Sequence, residues 1–376
     1  MKHIYLDYNS TAPVRPEAMV AMIDCCKNIC GNPSSLHHFG QQAKQAVDRA
    51  RFQVARLLNA PPSQLIFTSG GTESNNMAIR GVAARSRGKK QLITCRSEHS
   101  SVLNVFKALA KDDFTINYIP VDTNGLIDLA ALDAVVNETT ALVSVMLANN
   151  ETGVIQPIKD IVEIVHAKGA LLHVDAVQAL GKIAVDVMDL GADLLSVSGH
   201  KIGAPKGVGA LYVRIGCKIE PLIFGGNQES RRRSGTENVP GIVAFGKVCE
   251  IVTANLNYEI EQLNKLGKLL EQSIVKNIPN AVINGAGVRR IPNTINVSFL
   301  GNESDTLMMM LDMKGVAVSS GASCSAGSGE PSHVLKSMGL SQGLLYSALR
   351  FSIGIDNTHE DILQAVDILH QVVSGD

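Results

Sequence analysis

The sequence lacks the features by which several protein classes are recognised. Its 376 residues include 34 Lys and Arg against 35 Asp and Glu, a formal net charge of −1, and no long basic run. A protein that binds nucleic acid through bulk charge is therefore not expected. No segment approaches the ~18 consecutive apolar residues of a membrane span. Hydrophobic residues make up 45% and charged residues 18%, a balance typical of a globular rather than a disordered protein. We predict that it binds neither nucleic acid directly nor a membrane.

A disulfide framework and an export signal are also missing. Acidic Asp7 falls where the apolar core of a signal peptide would run. Seven cysteines, an odd number, then favour reduced thiols and a cytoplasmic protein. Cys25, Cys26 and Cys30 lie close together without a CxxC pair or a histidine cluster, so helix cysteines are the favoured interpretation and a metal site the alternative. We predict no metal of the protein's own.

Two common nucleotide signatures are absent. No G-x-G-x-x-G follows a predicted strand, and the G-x-x-x-x-G-K-Val run from Gly241 to Val248 lacks the hydroxyl that a P-loop needs for Mg²⁺. That run also lies within a helical pattern. A nucleotide-dependent oxidoreductase or NTP enzyme is therefore not favoured.

Short apolar runs alternate with helical periodicities up to about residue 250. Continuous apolar strands separated by helices are typical of a parallel sheet covered on both faces. We predict an α/β fold with a large domain, residues 15–255, whose mostly parallel sheet is covered by helices. A smaller α+β domain is predicted from residues 1–14 and 256–376, with a Gly- and Ser-rich loop at about 319–333. A long helix over residues 241–277 is expected to link the two.

Three segments at predicted strand ends carry a candidate site. In Thr68-Ser-Gly-Gly-Thr72, glycines let backbone N–H groups converge ahead of a helix N-terminus, which suits one phosphate monoester. Asp175 ends a buried strand, where a carboxylate needs a cationic partner such as a protonated pyridine nitrogen. Lys201 follows the next strand, where an amine is costly unless it is paired or chemically used. The alternatives are a plain glycine turn, a helix-capping Asp and a surface lysine.

The order of these three segments is more specific than any one of them. Pyridoxal phosphate (PLP) needs an anchor for its phosphate, an acidic partner for its ring nitrogen and an amine for its aldehyde. The three segments supply these groups, so PLP is the predicted cofactor.

From Tyr5 to Ser352 the chain resembles the cysteine desulfurases of the NifS/IscS type, which are class-V aminotransferase-like PLP enzymes of fold type I. The motifs that carry the resemblance are Gly31-Asn-Pro-Ser-Ser-Leu-His37, Thr68-Ser-Gly-Gly-Thr-Glu-Ser-Asn-Asn76, Ser97-Glu-His99, Asn149-Asn-Glu-Thr-Gly153, His173-Val-Asp-Ala-Val-Gln178, Ser198-Gly-His-Lys201, Arg233-Ser-Gly-Thr-Glu-Asn238 and Ser319-Ser-Gly-Ala-Ser-Cys324. The opening Asp7-Tyr-Asn-Ser-Thr-Ala departs from the Asn-Asn-Ala-Thr-Thr run of many members, on the substrate side of the site.

The resemblance implies the catalytic roles. Lys201 forms the Schiff base with PLP, Asp175 pairs with the pyridinium nitrogen, and His99 stacks on the ring and handles protons. Cys324 is the nucleophile that accepts sulfur from L-cysteine as a persulfide, leaving L-alanine, and through that persulfide it is able to ligate a cluster transiently. The remaining implied contacts are the ring oxygen with Asn150 and Gln178, the phosphate with Gly71, Thr72, Ser198, His200 and Thr236 of the partner subunit, and the substrate carboxylate with Arg350 and Asn32.

Each of these residues also has a structural interpretation. His99 would serve as a helix cap, Asn150 as a turn cap and Gln178 as a polar residue at a helix start. Arg350 would be an ion-paired strand residue, and Cys324 an incidental loop thiol. The small residues around Cys324 argue against the last alternative, because an exposed thiol without a function is a reactive liability.

The resemblance further implies a homodimer and a sulfur-acceptor protein, such as an iron–sulfur scaffold. Three other functions stay open at this point. A selenocysteine lyase or another aminotransferase-like PLP enzyme would not use Cys324 to accept sulfur. A non-enzymatic sulfur carrier would need neither Lys201 nor a bound chromophore, and a nucleotide-dependent oxidoreductase lacks its motifs.

Overall fold

The computed structural model of the chain describes residues 2–86, 88–320 and 331–375. The helices in these segments are α1 (Pro16–Asn28), α2 (His38–Leu57), α3 (Gly71–Arg85), α4 (Ser100–Leu109), α5 (Leu129–Val135), α6 (Ile158–Ala167), α7 (Val187–Leu190), α8 (Gln228–Arg231), α9 (Val239–Asn277), α10 (Ser304–Met313), α11 (His333–Ser337), α12 (Gln342–Leu345) and α13 (His359–Ser374). The strands are β1 (Ile4–Tyr5), β2 (Leu65–Thr68), β3 (Gln91–Cys95), β4 (Thr115–Ile119), β5 (Thr140–Met146), β6 (Leu171–Asp175), β7 (Leu194–Ser198), β8 (Gly209–Val213), β9 (Ala281–Ile283), β10 (Thr294–Phe299), β11 (Val316–Ala317), β12 (Ser319–Ser320) and β13 (Ala348–Ser352).

Seven strands form the large sheet, in the order β2-β8-β7-β6-β5-β3-β4. All neighbours pair in parallel except β8, which is antiparallel to both β2 and β7. The reason is the short connection from β7 to β8, residues 199–208, because a parallel crossover needs a dozen or more residues. That connection begins with a 3-10 turn, Gly199–Lys201, which keeps Lys201 at the carboxyl end of β7.

Apolar side chains cover both faces of this sheet. Along β7 and β8, Leu194 and Leu211 join a cluster with α3 and α4, whereas Leu195, Val197 and Tyr212 join a cluster with α2, α6 and α9. Successive residues of a strand point to opposite faces, so a strand that is apolar at every position can be buried on both. Because both faces of the sheet are covered by apolar side chains, the candidate functional residues lie at the ends of the strands.

A second sheet, in the order β12-β13-β10-β9, lies in a separate apolar cluster. The apolar residues of this cluster are Ile4, Leu6 and residues between 263 and 372, while those of the cluster against α2, α6 and α9 lie between 18 and 291. The long helix α9 contributes to both. The division into two domains at residues 14/15 and 255/256 stays a prediction.

Helix α9 is long and apolar enough to cross a membrane when only length and composition are considered. Half of its most apolar window is buried inside the fold, and the helix packs against α1, α2 and α13. A long helix buried in the core of a protein also meets this criterion of length and composition. Its N-terminus is capped by the side chain of Asn238, which accepts a hydrogen bond from the Gly241 N–H.

A buried histidine on β6 connects the two neighbouring strands, β5 and β7, in the middle of the large sheet. His173 on β6 contacts Ser144 Oγ through Nδ1 at 2.8 Å and Ser196 Oγ through Nε2 at 2.9 Å. Burial lowers the pKa of His173 to about 4, against the opposing effect of Asp175. The fold therefore holds a neutral imidazole whose nitrogens are both satisfied by serine hydroxyls.

This histidine predicts a pH-dependent stability. The unfolded chain takes up a proton at His173 near pH 6.5 and the folded chain only near pH 4, so the stabilisation present above pH 6.5 is lost as the pH falls. Between pH 7.5 and pH 5 we expect the wild type to lose about 2 kcal/mol more free energy of unfolding than His173→Gln. Urea unfolding at both pH values measures this, with exposed His370→Gln as the control. Equal losses in wild type and His173→Gln would contradict it.

Candidate active site

The carboxyl ends of the parallel strands meet at one edge of the large sheet and form a pocket of about 370 Å³. Ligands of open α/β sheets bind at this edge. Ten of the thirteen residues singled out from the sequence line this pocket: Gly71, Thr72, His99, Asn150, Asp175, Gln178, Ser198, His200, Lys201 and Arg350. Residues that are far apart along the chain thus converge on one cavity.

One wall of the pocket is the N-terminus of α3. Gly70, with φ of 149°, precedes the helix in a backbone conformation that favours glycine. A Cβ on Gly71 would lie 2.7 Å from Val177 Cγ2, so only glycine lets the backbone come this close. Ser198 Oγ is buried and has no hydrogen-bond partner among the described residues. The free N–H groups of a helix start and this hydroxyl form an anion cradle.

His200 lies beside this cradle as a neutral side chain. Burial, followed by the positive charges of Lys201, Lys206 and Lys182, lowers the pKa of His200 to about 4. Its Nδ1 is 3.1 Å from Thr11 Oγ1. At neutral pH the imidazole thus serves as a hydrogen-bonding group rather than a second positive charge.

Asp175 at the end of β6 is held by two donors. Its Oδ2 accepts from Asn75 Nδ2 at 2.7 Å, and its Oδ1 accepts from the Val177 N–H at 3.0 Å. These two donors hold the carboxylate at the edge of the pocket that it lines. The side chain therefore offers a negative charge to a cationic group in the pocket.

Lys201 is oriented by the N-terminal segment. Its Nζ donates to the carbonyl oxygens of Asn9 and Ser10, the latter at 2.9 Å. Gln178 Nε2 donates to the same Asn9 carbonyl at 2.9 Å, so this one oxygen contacts both pocket residues. Residues 9 and 10, where the sequence departs from the family pattern, thus lie directly against the amine.

A second buried lysine supports this arrangement. Lys182 Nζ donates to Asn9 Oδ1 at 2.9 Å and to Gln178 Oε1 at 2.7 Å. Burial, and then the charges of Lys201 and Arg350, hold the pKa of Lys182 well below its usual range. Gln178 turns its acceptor Oε1 toward Lys182 Nζ, which leaves its Nε2 to donate to the Asn9 carbonyl.

Arg350 on β13 is almost fully buried at the opposite wall. Its Nη2 donates to Asp7 Oδ1 at 2.7 Å and to Ser10 Oγ at 2.8 Å, and its Nη1 donates to the Asn150 carbonyl at 3.0 Å. Its Nε has no hydrogen-bond partner among the described residues. The structural interpretation of Arg350 as an ion-paired strand residue is therefore correct, with Asp7 as the partner. The guanidinium still has N–H groups, among them Nε–H, that can donate to a further carboxylate.

His99 is the N-cap of α4, as its structural interpretation predicted, and it also lines the pocket. Its Nδ1 accepts from the Ser101 N–H at 3.1 Å and lies 2.8 Å from Ser101 Oγ. For Asn150 the cap interpretation is wrong, because Asn149 Oδ1 caps this turn, accepting from the Glu151 and Thr152 N–H groups. Asn150 Oδ1 has no partner among the described residues.

Of the three remaining predicted residues, two lie away from the pocket and one is not described. Asn32 lies on an exposed turn, where its Oδ1 accepts from the Ser34 N–H at 2.9 Å. Thr236 is exposed between α8 and α9 and does not line the pocket of its own chain. Cys324 lies outside the described residues. The roles of these three stay predictions.

The described residues on either side of 321–330 contact a lining residue of the pocket or chain neighbours of lining residues. Ser319 pairs with Arg350 across β12 and β13. On the other side, Ser332 Oγ donates to Glu151, the neighbour of Asn150, and His333 Nε2 lies 2.8 Å from the carbonyl oxygen of Glu98, the neighbour of His99. Both anchors of the segment that carries Cys324 are therefore built on the pocket.

Among the residues of the site that were missed from the sequence are Asp7, Asn9, Asn75 and Lys182. Two of them follow helical or turn spacing that could have revealed them. Asn75 lies one helical turn after Gly71, on the same face of α3, and Lys182 lies four residues after Gln178. Asp7 and Asn9 reach the site only through tertiary packing of the N-terminal segment.

Comparison with known proteins identifies the family. The model described as aminotransferase class-V matches residues 4–365. The chain is 44% identical over 373 residues to cysteine desulfurase IscS of Dictyoglomus turgidum, covering 99% of this chain and 95% of that protein.

Solved structures agree. A NifS-like protein superposes with a TM-score of 0.93 at 37% identity, covering 99% of this chain and 100% of that one. A structure described as SspA in complex with cysteine has a TM-score of 0.83 at 33% identity, covering 93% and 99%. The resemblance in the sequence and the predicted fold class are confirmed. The chain belongs to the aminotransferase class-V family and, within it, to the cysteine desulfurases.

Proposed function

We propose that this pocket binds PLP and L-cysteine together, and that Cys324 removes the substrate's sulfur as a persulfide and leaves L-alanine. The family is PLP-dependent, and the activity of its cysteine desulfurase members fits this site. The observation that carries the proposal is the convergence of Lys201, Asp175 and the α3 anion cradle, with both anchors of the Cys324 segment on the same walls.

The residues present fit PLP. The buried oxygens Ser198 Oγ and Asn150 Oδ1 have no partner among the described residues, and such atoms are costly unless a ligand satisfies them. The α3 N-terminus with Gly71, Thr72 and Ser198 would hold the phosphate, and Asp175 the protonated ring nitrogen. When bound, PLP supplies an electrophilic aldehyde for amines and a ring that accepts electrons from the Cα–H bond.

Each side chain of the pocket then has a task. Lys201 provides the amine that bonds the cofactor covalently, and Asp175 holds the proton at the ring nitrogen. Lys182 holds Gln178 Oε1, and Gln178 Nε2, which donates one hydrogen to the Asn9 carbonyl, has its second hydrogen for the ring oxygen, with Asn150 beside it. These side chains lie at or near the ends of rigid strands, and this placement holds each of them in a fixed position toward the cofactor.

Substrate binding falls to Arg350. A buried guanidinium recognises a carboxylate through charge-assisted hydrogen bonds, and its Nε has no partner among the described residues. Asp7 and Ser10 hold the side chain in place at 2.7 and 2.8 Å without using every donor. Asn32 is proposed as a further contact.

Cys324 carries out the sulfur transfer. Its thiolate attacks the sulfur of the bound cysteine, so that an S–S bond forms as the Cβ–S bond breaks, and the carbon skeleton leaves as alanine after protonation. The net reaction converts L-cysteine and one enzyme thiol into L-alanine and one enzyme persulfide. A persulfide on Cys324 is then passed to an acceptor, which we propose is a protein such as an iron–sulfur scaffold.

Product analysis tests this function. With L-cysteine and dithiothreitol, the purified enzyme should release alanine and sulfide in equal amounts, since the reductant frees the persulfide sulfur. Pyruvate and ammonia with the sulfide would instead indicate an eliminating PLP enzyme, and strong preference for selenocysteine would indicate a lyase. Either result would contradict the proposal.

We also propose a cytoplasmic homodimer in which Thr236 of the partner subunit completes the phosphate site. Thr236 is exposed in its own chain and lies on a segment anchored to the α3 start, because Arg233 pairs with Glu73 at 2.8 Å. An isologous contact would bring both copies of this segment to the other chain. Sedimentation of the PLP-loaded protein should give a dimer, and a fully loaded monomer would refute the assignment.

A further inference from the structure

Two buried residues without an assigned role connect the two groups that the proposed function places on the cofactor ring. Asn75 Nδ2 lies 2.7 Å from Asp175 Oδ2 and 2.8 Å from Ser101 Oγ. Ser101 Oγ in turn lies 2.8 Å from His99 Nδ1. These contacts form an unbroken chain of hydrogen bonds from the carboxylate to the imidazole.

The direction of each hydrogen bond follows from the chemistry of its ends. An ionised Asp175 only accepts, so Asn75 must present Nδ2 and not Oδ1 to it. The second hydrogen on Nδ2 goes to Ser101 Oγ, which leaves the hydroxyl proton for His99 Nδ1. The Ser101 N–H also donates to this nitrogen, at 3.1 Å. A neutral imidazole whose Nδ1 accepts carries its proton on Nε2.

We propose that Asn75 and Ser101 are positioning residues that fix His99 as the Nε2–H tautomer and link its orientation to the charge of Asp175. The inference rests on the proposed function for the roles of Asp175 and His99. Neither Asn75 nor Ser101 needs to touch the substrate or the cofactor for this task. Any proton that His99 exchanges then passes through Nε2, because Nδ1 is committed to two donors.

Burial supports a directed role for Asn75. Its residue is 1% exposed, and Oδ1 has no hydrogen-bond partner among the described residues. An unpartnered buried amide oxygen costs stability, so packing alone would favour an apolar side chain at this position. What asparagine provides at this position, and an apolar side chain would not, is the pair of hydrogen bonds that Nδ2 donates to Asp175 and Ser101.

The tautomer can be observed directly. In protein labelled with ¹⁵N-histidine, two-bond nitrogen–proton correlations distinguish the Nε2–H tautomer, and the His99→Gln variant assigns the signal. We expect the Nε2–H pattern at pH 7.5 in the wild type, both with PLP and after its removal. An Nδ1–H or doubly protonated His99 would overturn the proposal. This readout does not need turnover, so a failure of the proposed sulfur transfer would leave it intact.

Variants test whether Asn75 acts through Ser101. Ser101→Ala and Asn75→Ala should each shift the Nδ1 resonance of His99 in the same direction, since the first removes the hydroxyl that donates to Nδ1 and the second removes the hydrogen bond that orients this hydroxyl. Substitutions at the neighbouring positions, Ser100→Ala and Asn76→Ala, serve as matched controls and should not shift the Nδ1 resonance of His99. Asn76 donates to the Thr72 carbonyl on the outer side of α3. An unchanged resonance in Ser101→Ala would refute the relay.

Kinetics provide the second arm. We expect kcat/KM for cysteine to fall about tenfold in Ser101→Ala, the usual scale for residues that orient a functional side chain. The kcat/KM of Asn75→Ala should fall further than that of Ser101→Ala, because this substitution also removes a hydrogen bond to Asp175. The double variant should match Asn75→Ala rather than multiply the two losses. Fully multiplicative losses would show that the two residues act independently and would overturn the link.

Discussion

Lys201→Ala should abolish covalent PLP binding and reduce sulfur release from cysteine by on the order of 10³-fold or more. The wild-type lysine lies in the turn that follows β7 with its Nζ on the Asn9 and Ser10 carbonyls, and the alanine variant has no amine there to bond the cofactor. Purified wild type should be yellow, and the variant should lose the absorbance of the lysine-bound cofactor. The anion cradle remains in the variant, which should still bind PLP reversibly.

Borohydride reduction and peptide mapping locate the bond. The pyridoxyl group should appear on Lys201, while Lys206→Ala, five residues later and exposed, should retain both colour and activity. Lys182→Ala is expected to keep the label on Lys201 as well, because Lys182 contacts Gln178 and Asn9 rather than supplying the reacting amine. A label on Lys182 or Lys206 would show that the amine has been wrongly assigned.

Cys324→Ser should remove desulfurase activity almost completely while leaving PLP bound. The serine hydroxyl has nearly the size of the thiol but no anionic form near neutral pH, so the attack on sulfur should slow by on the order of 10³-fold or more. The described residues that line the PLP pocket are unchanged in this variant, and the cofactor spectrum should still change when cysteine is added. Sulfide assay and absorbance spectra measure the two properties separately.

Other cysteines provide the control for this variant. Cys26 and Cys30 are exposed free thiols on and just after α1. Cys26→Ser and Cys30→Ser should therefore keep wild-type rates, whereas a loss equal to that of Cys324→Ser would assign the nucleophile to α1. Near wild-type sulfide release by Cys324→Ser would likewise refute its role.

Much of the fold follows from short-range patterns in the sequence. The strands from β5 to β8 are short, mostly apolar runs between turn residues, and this pattern predicts buried strands from the sequence alone. The last helix begins at a capping box, in which Thr358 and Asp361 exchange hydrogen bonds, and the spacing of these two residues is a helix-start signal in the sequence. These signals are local and therefore visible without the structure.

Elements that depend on distant partners were less predictable. The edge strand β4, Thr115–Ile119, is partly exposed and has no continuous buried run, so its pairing with β3 was not foreseen. Helices α1 and α2 were also not assigned, and their packing against α9 joins residues more than 180 positions apart. Such pairings are set by the tertiary fold rather than by local sequence.

The candidate site shows the same division. Lys201 and Asp175 were identified because strand ends and unusual residue types coincide there. Asp7 and Asn9 were not, because their contacts to Arg350 and Lys182 span 343 and 173 residues. A single sequence contains no signal for contacts of that range.

The most direct test of the central claim is the mass of the peptide that contains Cys324 after one turnover without reductant. We predict that this peptide gains one sulfur atom, that the gain is removed by dithiothreitol, and that one alanine is formed per modified chain. Alanine formed in that amount from an enzyme whose Cys324 peptide stays unmodified, or a sulfur atom found on another cysteine, would contradict the assignment.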